Sequence, residues 1–556
     1  MIDALNVKDA VSRVGWRRRW VAARALGALA FLTSAVLLAQ TPPNGRASCG
    51  DIRRMELAGV VITDATSTPA GPYKAPSFPG APPAPDIQLP ATCLVRGTAD
   101  RRTGAGGKAF GIGFELRMPD PWNRRFLFQG GGGTDGMIRP ALGMVAFDSP
   151  PALAQGFAVV STDAGHDGVS DMSFGQDQQA RIDYAYRAID RVTLLAKQII
   201  TRFYGMPAKK SYLVGCSNGG RQGMIAAQRF PSSFDGIVAG DPGFRLSYAA
   251  VGEVWDTRAF LDVAPRDAEG RAILSQALTN EDLTLLGQAI LSECDDKDGL
   301  RDGLVDNPGA CHFDPAALEC KGEKTAQCLA PAQVQAIKRV FGGAVNSRRE
   351  QIYSGWPWDP GVASPAWRAW KLGFSKTGIS DALNTSLGFA AVRGYFMTPY
   401  DPAFDPLKFD FDRDTARVAE TAAMNDAVAT EMSTFAGRGA KLLIYQGMAD
   451  PVFSASDIIA YYGKLAADNG GMEAVRDWAR LFLVPGMCHC AGGPALDQFD
   501  PLAAIVDWVE KGKAPDSIPA KGRAFPGRTR PLCAYPRETR YEGTGSIDDP
   551  ANFTCH

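Results

Sequence analysis

The sequence predicts an α/β fold in which a doubly wound, mostly parallel sheet carries a large inserted domain. Apolar runs typical of strands alternate with amphipathic helical segments, as expected when helices cover both faces of a parallel sheet. The run Tyr212–Val214 is continuously apolar, which favours a strand buried on both faces. The chain has 556 residues, 45% of them hydrophobic, so it can bury a large core and is too long for one minimal domain.

We predict four segments along the chain: an export signal over residues 1–39, a first part of the core over 40–244, an insertion over 245–438 and a second part of the core over 439–556. The insertion is rich in tryptophan and phenylalanine, and we expect it to cover the carboxyl edge of the sheet as a lid and to build the pocket. The alternative is that its tryptophans form the small core of the lid itself.

The predicted export signal has the usual three parts. Five arginines between Arg13 and Arg24 precede a mostly apolar run from Ala25 to Ala39, and a polar breaker follows at Gln40. The run is shorter than the roughly twenty residues that a membrane-spanning helix needs. A cleaved signal and a secreted or periplasmic protein with no stable membrane span are therefore expected, and a retained membrane anchor is the alternative.

The charge balance limits the class of partner. The net charge is −1, which gives no strongly basic face for nucleic acid or membrane phosphates. The sequence therefore predicts a small-molecule partner and no nucleic acid, and it implies no partner protein.

The chain is organised around a strand, a sharp turn and a helix between Lys210 and Gln228. The turn has the pattern Gly215-x-Ser217-x-Gly219, in which small flanking residues allow a hydroxyl to stand clear of a strained backbone. This pattern, with its flanking strand and helix, indicates a nucleophile elbow centred on Ser217. The alternative is a glycine-rich connection whose serine only caps the helix.

A serine nucleophile needs a base, and histidine is the usual one near neutral pH. The chain has four histidines: His166, His312, His489 and His556. His489 is predicted as the base because it follows a strand-like run and lies downstream of Ser217, whereas His166 lies upstream. Asp450, which follows the apolar run 441–447, is predicted as the orienting acid, with a helix N-cap as the alternative. Serine, aspartate and histidine then occur in the order of the α/β-hydrolase fold.

A run of four glycines, Gly130–Gly133, follows a strand upstream of the elbow. Such a loop exposes backbone N–H groups, so Gly133 is predicted to donate one hydrogen bond to a tetrahedral oxyanion and Asn218, the residue after the serine, the other. A phosphate-binding loop is the alternative, but the lysine and hydroxyl residue of that motif are missing.

The chain contains eleven cysteines, which fits an oxidising compartment and leaves at least one unpaired. Cys216 precedes the proposed nucleophile and Cys490 follows the proposed base. If Ser217 and His489 meet, these two sulfurs also come close, so a disulfide between them is predicted. A metal site at Cys488-His489-Cys490 is the competing interpretation, but no second ligand cluster completes it.

An acidic loop in the predicted lid, residues 294–306, suggests a cation site. A hard divalent ion would neutralise its crowded carboxylates, and calcium suits a flexible all-oxygen loop better than magnesium. The predicted ligands are three side chains and two carbonyls: Asp295, Asp298 and Asp302, and Leu300 and Leu304. The ion's role would be structural, and a solvated acidic turn is the alternative.

Taken together, the stretches Gly215–Gly220, Gly447–Asp450, Pro485–Cys490 and the acidic loop resemble the tannase and feruloyl esterase family, from Cys49 to Cys555. The resemblance implies an α/β-hydrolase with a lid, a lid-bound calcium, and hydrolysis of esters of aromatic carboxylic acids. It also implies five disulfides that leave Cys488 unpaired. These are Cys49–Cys93, Cys216–Cys490, Cys294–Cys311, Cys320–Cys328 and Cys533–Cys555.

The resemblance also suggests residues of the substrate pocket. In one bacterial member, a lid arginine holds the free carboxylate of the substrate, and the matching stretch here offers Asn384 instead. Trp370 and Phe389 match the aromatic wall of that pocket. Loss of a charge-assisted contact should weaken selection for a carboxylate-bearing substrate.

The sequence therefore predicts an exported serine esterase acting on small aromatic esters of the feruloyl or galloyl type. A hydrolase of terephthalate monoesters is the nearest alternative. A peptidase could use the same three residues, and a non-catalytic binding protein could keep the same fold.

Overall fold

A computed structural model describes residues 46–74, 86–144, 149–169 and 171–556. The predicted export signal, residues 1–39, lies outside these ranges. Among the described residues, none of the helices combines the length and the apolar character that a membrane crossing requires.

The described chain alternates strands and helices. The strands are β1 (Val60–Thr68), β2 (Gly71–Lys74), β3 (Asp86–Leu89), β4 (Ala91–Thr103), β5 (Ala109–Asp120), β6 (Arg125–Gln129), β7 (Ala158–Thr162), β8 (Lys210–Cys216), β9 (Gly236–Gly240), β10 (Lys441–Gly447), β11 (Ala479–Val484), β12 (Ser517–Lys521), β13 (Thr529–Cys533), β14 (Thr539–Tyr541) and β15 (Phe553–Cys555). The α-helices are α1 (Cys49–Arg53), α2 (Gln178–Ile182), α3 (Ala188–Tyr204), α4 (Asn218–Arg229), α5 (Leu246–Leu261), α6 (Asn280–Cys294), α7 (Pro331–Phe341), α8 (Pro365–Lys371), α9 (Phe389–Ala391), α10 (Thr415–Asn425), α11 (Ser433–Gly437), α12 (Ala455–Asp468), α13 (Met472–Arg476) and α14 (Pro501–Lys511). Three π-helical segments add to these: Asp183–Arg187, Asn384–Gly388 and Val392–Phe396.

The central sheet has nine strands within the described residues, in the order β1-β4-β5-β7-β6-β8-β9-β10-β11. Neighbours from β7 to β11 are parallel, whereas β1, β4 and β5 form an antiparallel extension. The predicted α/β-hydrolase class, with its mostly parallel sheet, is confirmed.

Helices cover both faces of this sheet. Phe126 and Phe128 pack into one apolar cluster with residues of α3, α4 and α12, while Leu127 between them packs into another with residues of α14. Strands β7 and β9 are buried along their whole length, which explains their continuous apolar sequence. The carboxyl ends of the parallel strands share one edge of the sheet, and the turns after β8, β10 and β11 meet there.

Helices α5–α11 and irregular segments lie between β9 and β10, where the insertion was predicted. Part of this region has its own apolar cluster, which includes Trp367, and the Trp358 ring stacks on Phe341 with ring centroids 4.0 Å apart. Several of its tryptophans therefore stabilise the insertion itself, as the alternative interpretation held. The proposed domain limits at 245 and 438 stay a prediction.

All five predicted disulfides are present: Cys49–Cys93, Cys216–Cys490, Cys294–Cys311, Cys320–Cys328 and Cys533–Cys555. Cys488 is buried and unpaired, as the resemblance implied. The Cys216–Cys490 bond joins residues 274 positions apart and connects the turn after β8 to the loop after β11.

Candidate active site

Ser217 stands on a strained turn between β8 and α4. Its φ of 65° and ψ of −126° are unusual for a side chain with a Cβ, and they lift the hydroxyl out of the helix. The turn needs its glycines because a Cβ on Gly215 would lie 2.6 Å from the carbonyl carbon of Gly219. A Cβ on Gly219 would lie 2.7 Å from the carbonyl oxygen of Gly131. The spacing that singled out Ser217 therefore has a steric cause.

Three of the predicted site residues form one hydrogen-bonded series. His489 Nε2 lies 2.8 Å from Ser217 Oγ, and His489 Nδ1 lies 2.9 Å from Asp450 Oδ2. Because a carboxylate can only accept, Nδ1 carries the proton and Nε2 is free to accept from the serine hydroxyl. The Asp450 side chain is fully buried, and its other oxygen accepts from the backbone N–H groups of Val452 and Phe453.

The His489 ring is held by its neighbours. Trp370 and Phe453 contact it edge to face, with centroids 5.6 Å and 5.3 Å away. The next residue, Cys490, has a positive φ of 64° and is fixed by its disulfide to Cys216. The imidazole therefore has little freedom to leave the serine.

A buried acid that the sequence analysis missed, Asp241, supports this arrangement. Its carboxylate accepts from the backbone N–H groups of Gly447 at 2.7 Å and Cys490 at 3.2 Å, so it connects the loops after β10 and β11. The Gln446 side chain donates to both Asp241 and Asp450. Burial, and then the charge of Asp450, raises the pKa of Asp241 well above its usual range. A polar residue directly after the apolar strand β9 was the available signal.

Gly133 and Asn218, the predicted N–H donors, line the same cavity as Ser217. Asn218 is the first residue of α4, so its N–H has no partner within the helix. Its side chain is fixed elsewhere, since it donates to Asp135 at 2.8 Å and accepts from Arg221 at 2.7 Å.

A buried polar network holds the glycine loop against α4. Asp135 accepts from the backbone N–H of Gly132 at 3.0 Å and from the side chain of Gln222 at 2.8 Å. Gln222 in turn accepts from the N–H of Gly131 at 2.8 Å. Burial raises the pKa of Asp135 to about 6, while the nearby Arg221 guanidinium opposes this rise. The polar pair Arg221-Gln222, on a helix turn between small and apolar residues, was the available but weak signal.

The cavity above Ser217 is mainly aromatic and aliphatic. Its wall within the described residues is formed by Gly133, Thr134, Met172, Phe174, Tyr184, Ser217, Asn218, Leu246, Ala250, Glu253, Trp370, Leu387, Gly388, Ala391, Tyr395, Phe396, Val452 and Phe453. Trp370 lines it, as predicted. Asn384 and Phe389 are not among these residues; both are buried, and Asn384 has no exposed surface. The neighbouring Leu387, Gly388 and Ala391 form the wall instead.

The acidic loop lies away from this cavity. Asp295 accepts from the N–H of Gly303 at 3.0 Å, and Asp298 accepts from that of Leu300 at 2.9 Å. Arg530 donates to Asp302 at 2.6 Å. Among the described residues, the one group of three acid, cysteine or histidine side chains with ligand atoms within 4.8 Å of one another is Cys216, Asp241 and Cys490, whose sulfurs are joined in the disulfide.

The chemistry of the acidic loop nevertheless fits a hard cation. Its available donors are carboxylate and carbonyl oxygens, which calcium prefers. Burial raises the pKa of Asp298 to about 6 and that of Asp306 well above its usual range, and the neighbouring carboxylates add to both shifts. A bound cation would relieve this repulsion.

Comparison with known proteins agrees with the fold. The sequence profile described as "Tannase and feruloyl esterase" matches residues 93–556. The chain is 43% identical over 518 residues to the mono(2-hydroxyethyl) terephthalate hydrolase of Piscinibacter sakaiensis, with 84% of this chain and 85% of that protein covered. It is 31% identical over 425 residues to a probable feruloyl esterase B-2 of Aspergillus flavus, with 73% and 76% covered.

A solved structure extends the likeness to three dimensions. The crystal structure of feruloyl esterase B from Aspergillus oryzae matches with a TM-score of 0.77 at 26% identity, and the match covers 92% of this chain and all of that one. The family profile spans most of the chain, and relatives more than 30% identical align over more than two thirds of it. The chain therefore belongs to the tannase and feruloyl esterase family and is a carboxylic ester hydrolase.

Proposed function

We propose that this chain is an exported serine esterase that hydrolyses esters of aromatic carboxylic acids through a Ser217–His489–Asp450 triad. The observation that carries the proposal is the hydrogen-bonded series from Ser217 Oγ through the imidazole to Asp450, with distances of 2.8 Å and 2.9 Å. Such a series activates a hydroxyl and is also able to protonate a leaving alcohol.

In the acylation step, Ser217 Oγ attacks the ester carbonyl carbon and its proton passes to His489 Nε2. Asp450 stabilises the imidazolium that forms, and the N–H groups of Gly133 and Asn218 bind the negative oxygen of the tetrahedral intermediate. The intermediate collapses when the bond between the carbonyl carbon and the alcohol oxygen breaks, and the leaving oxygen takes the proton from His489. The products of this step are a free alcohol and an acyl-enzyme on Ser217.

Deacylation repeats these roles with water. His489 removes a proton from water as its oxygen attacks the acyl carbon, and it then returns the proton to Ser217 Oγ as the acid leaves. The net reaction consumes one ester and one water and yields one acid and one alcohol.

Feruloyl or galloyl-type esters are the proposed substrates because the cavity beside Ser217 has a largely aromatic lining. Its aromatic side chains among the described residues are Phe174, Tyr184, Trp370, Tyr395, Phe396 and Phe453. Mono(2-hydroxyethyl) terephthalate is the second candidate substrate. It is favoured by the 43% identity to a hydrolase of that name.

We also propose a structural calcium in the acidic loop, held by the side chains of Asp295, Asp298 and Asp302 and the carbonyls of Leu300 and Leu304. Its supporting observations are the all-oxygen donors and the raised pKa of Asp298, caused mainly by burial. Export is supported by five disulfides, which persist in oxidising compartments.

Ser217→Ala tests the mechanism. We expect kcat on methyl ferulate to fall by at least about ten-thousandfold, because the nucleophile is removed while the fold is kept. The exposed Ser232→Ala serves as the control and should keep wild-type turnover and labelling by a fluorophosphonate. Wild-type turnover by Ser217→Ala would disprove the mechanism. Values of kcat/KM for methyl ferulate, methyl gallate and mono(2-hydroxyethyl) terephthalate then rank the candidate substrates.

A further inference from the structure

The cavity wall contains one acidic side chain, Glu253, among the residues that the structure describes. Glu253 lies on α5 and is 6% exposed, and its Oε2 atom is buried without a hydrogen-bond partner among the described residues. No other cavity-lining residue that the structure describes is Asp, Glu, Lys, Arg or His. A buried polar group without a partner lowers the stability of the fold, so a role for Glu253 in binding would explain its position.

The helix periodicity directs Glu253 into the cavity. Leu246, Ala250 and Glu253 all line it, and their spacing of four and three residues places them on one face of α5. The carboxyl of Glu253 lies against the backbone of Gly388, another wall residue. A Cβ atom on Gly388 would be only 1.7 Å from Glu253 Oε2. The Oε2 atom is thus covered by the 384–388 segment, at a point where both Glu253 and Gly388 line the cavity.

Lys371, whose charge acts on Glu253, is paired with another acid. Lys371 Nζ is hydrogen-bonded to Asp256, and both side chains are almost completely buried. The ammonium also lies over the Trp356 ring, 3.7 Å from its centroid. Burial raises the pKa of Glu253 to about 8, with Lys371 opposing and Asp256 adding to that rise. Near neutral pH the group therefore holds a proton and can both donate and accept a hydrogen bond.

From this geometry we propose that Glu253 is a specificity residue that binds a hydroxyl on the aromatic ring of the substrate and disfavours a ring carboxylate. A hydroxyl is both donor and acceptor, so it matches a carboxyl group in an otherwise apolar wall. A ring carboxylate would be buried beside an acid in a wall where no described residue is Lys, Arg or His, and an unpaired buried charge is costly. The inference rests on the proposed esterase function and selects hydroxylated aromatic esters over terephthalate monoesters.

The test compares kcat/KM for four esters: methyl benzoate, methyl 3-hydroxybenzoate, methyl 4-hydroxybenzoate and monomethyl terephthalate. For the wild type we expect at least one hydroxylated ester to exceed methyl benzoate by about tenfold or more, and monomethyl terephthalate to fall below it. In Glu253→Leu the ratio of kcat/KM for the hydroxylated ester to kcat/KM for methyl benzoate should fall to about one. Glu253→Gln should keep most of the wild-type ratio, because its amide still donates and accepts a hydrogen bond. Asp262→Asn, an exposed acid just after α5, is the matched control and should keep the wild-type ratios.

The outcomes separate this inference from the esterase proposal. If the wild type hydrolyses the esters but Glu253→Leu keeps the full hydroxyl preference, or if the wild type prefers the terephthalate monoester, the role of Glu253 is disproved and the esterase stands. If the wild type hydrolyses methyl ferulate but none of the four esters, the role of Glu253 is disproved and the esterase stands; if it hydrolyses none of the five, both are disproved. Because ratios between substrates cancel differences in folded fraction, a less stable variant still gives a decisive result. Calorimetric Kd values for the same esters in the Ser217→Ala background provide a second measurement. Tighter binding of the hydroxylated esters should be seen in Ser217→Ala and lost in Ser217→Ala/Glu253→Leu.

Discussion

His166 shows at the scale of one residue why a histidine near the site need not take part in catalysis. Its ring stacks on Phe174, a cavity-wall residue, with centroids 4.1 Å apart. Neither ring nitrogen has a hydrogen-bond partner within the described part of the chain, and burial lowers the pKa of His166 to about 4. His166 is therefore a neutral core residue, and His489 is the imidazole that contacts Ser217.

His166 should make the protein less stable in acid. Its pKa is lower in the folded than in the unfolded chain, so the unfolded chain binds more protons between about pH 6.5 and pH 4 and the free energy of unfolding falls as pH falls through that window. His166→Phe removes this contribution, and its stability relative to wild type should rise by up to about 3 kcal/mol between pH 7.5 and pH 4. Urea unfolding at several pH values measures this. The exposed His312→Phe is the control, and an equal pH slope in His166→Phe and wild type would contradict the prediction.

At the scale of elements, the site is built where three parallel strands end, and this was the part that the sequence could predict. Each of Ser217, Asp450 and His489 follows an apolar run, so chain order and strand parallelism were enough to bring them to one edge. The support from Asp135 and Asp241 was missed, because the sequence signals for it are weak and it depends on hydrogen bonds between segments far apart in the chain. The wall of the cavity was also beyond prediction, because a shift of one or two residues within 384–391 decides which side chains face it.

The Cys216–Cys490 disulfide joins two of these elements, and its loss should affect both stability and turnover. Replacing both cysteines by serine should lower the free energy of unfolding by about 2–4 kcal/mol, because the bond closes a very long stretch of chain. It should also lower kcat by about ten- to a hundredfold, because the loop that carries His489 loses its fixed distance to Ser217. Thermal unfolding and kcat on methyl ferulate, measured below the variant's melting temperature, test both effects.

The control for this variant is a disulfide away from the site. Cys320–Cys328 closes a short stretch with a separation of 8 residues, in the insertion. Its double serine variant should lose stability without losing kcat in the folded protein. Equal losses of kcat in the two variants, or no loss in either, would show that the Cys216–Cys490 bond does not position His489.

Ion pairs join the acidic loop of the insertion to the C-terminal part of the chain. Arg530, on β13, and Arg528, just before it, both reach Asp302, at 2.6 Å and 3.4 Å. The Arg530 guanidinium also lies over the Phe553 ring, 3.8 Å from its centroid, and β13 is tied to β15 through Cys533–Cys555. The loop therefore connects segments more than two hundred positions apart. Any change that weakens the loop's structure should lower the stability of the whole fold.

Removal of the proposed calcium is expected to destabilise the whole protein without changing the chemistry at Ser217. If calcium binds the folded chain and not the unfolded chain, a free calcium concentration of a hundred times its Kd adds about 2.7 kcal/mol to the free energy of unfolding. We expect a chelator to lower the melting temperature, and added calcium, but not magnesium, to restore it, because the loop's donors are all oxygen and magnesium demands a near-ideal octahedral site. The kcat of the remaining folded enzyme should stay the same, since the loop does not line the cavity.

Two variants of the loop provide a test and its control. Asp298→Asn should have a lower melting temperature in calcium and respond less to the chelator. Asp296→Asn, at an exposed residue paired with Arg301, should behave as wild type. Equal melting temperatures of the wild type in calcium and in chelator would leave Asp295, Asp298 and Asp302 as an acidic turn held by Arg528 and Arg530 alone.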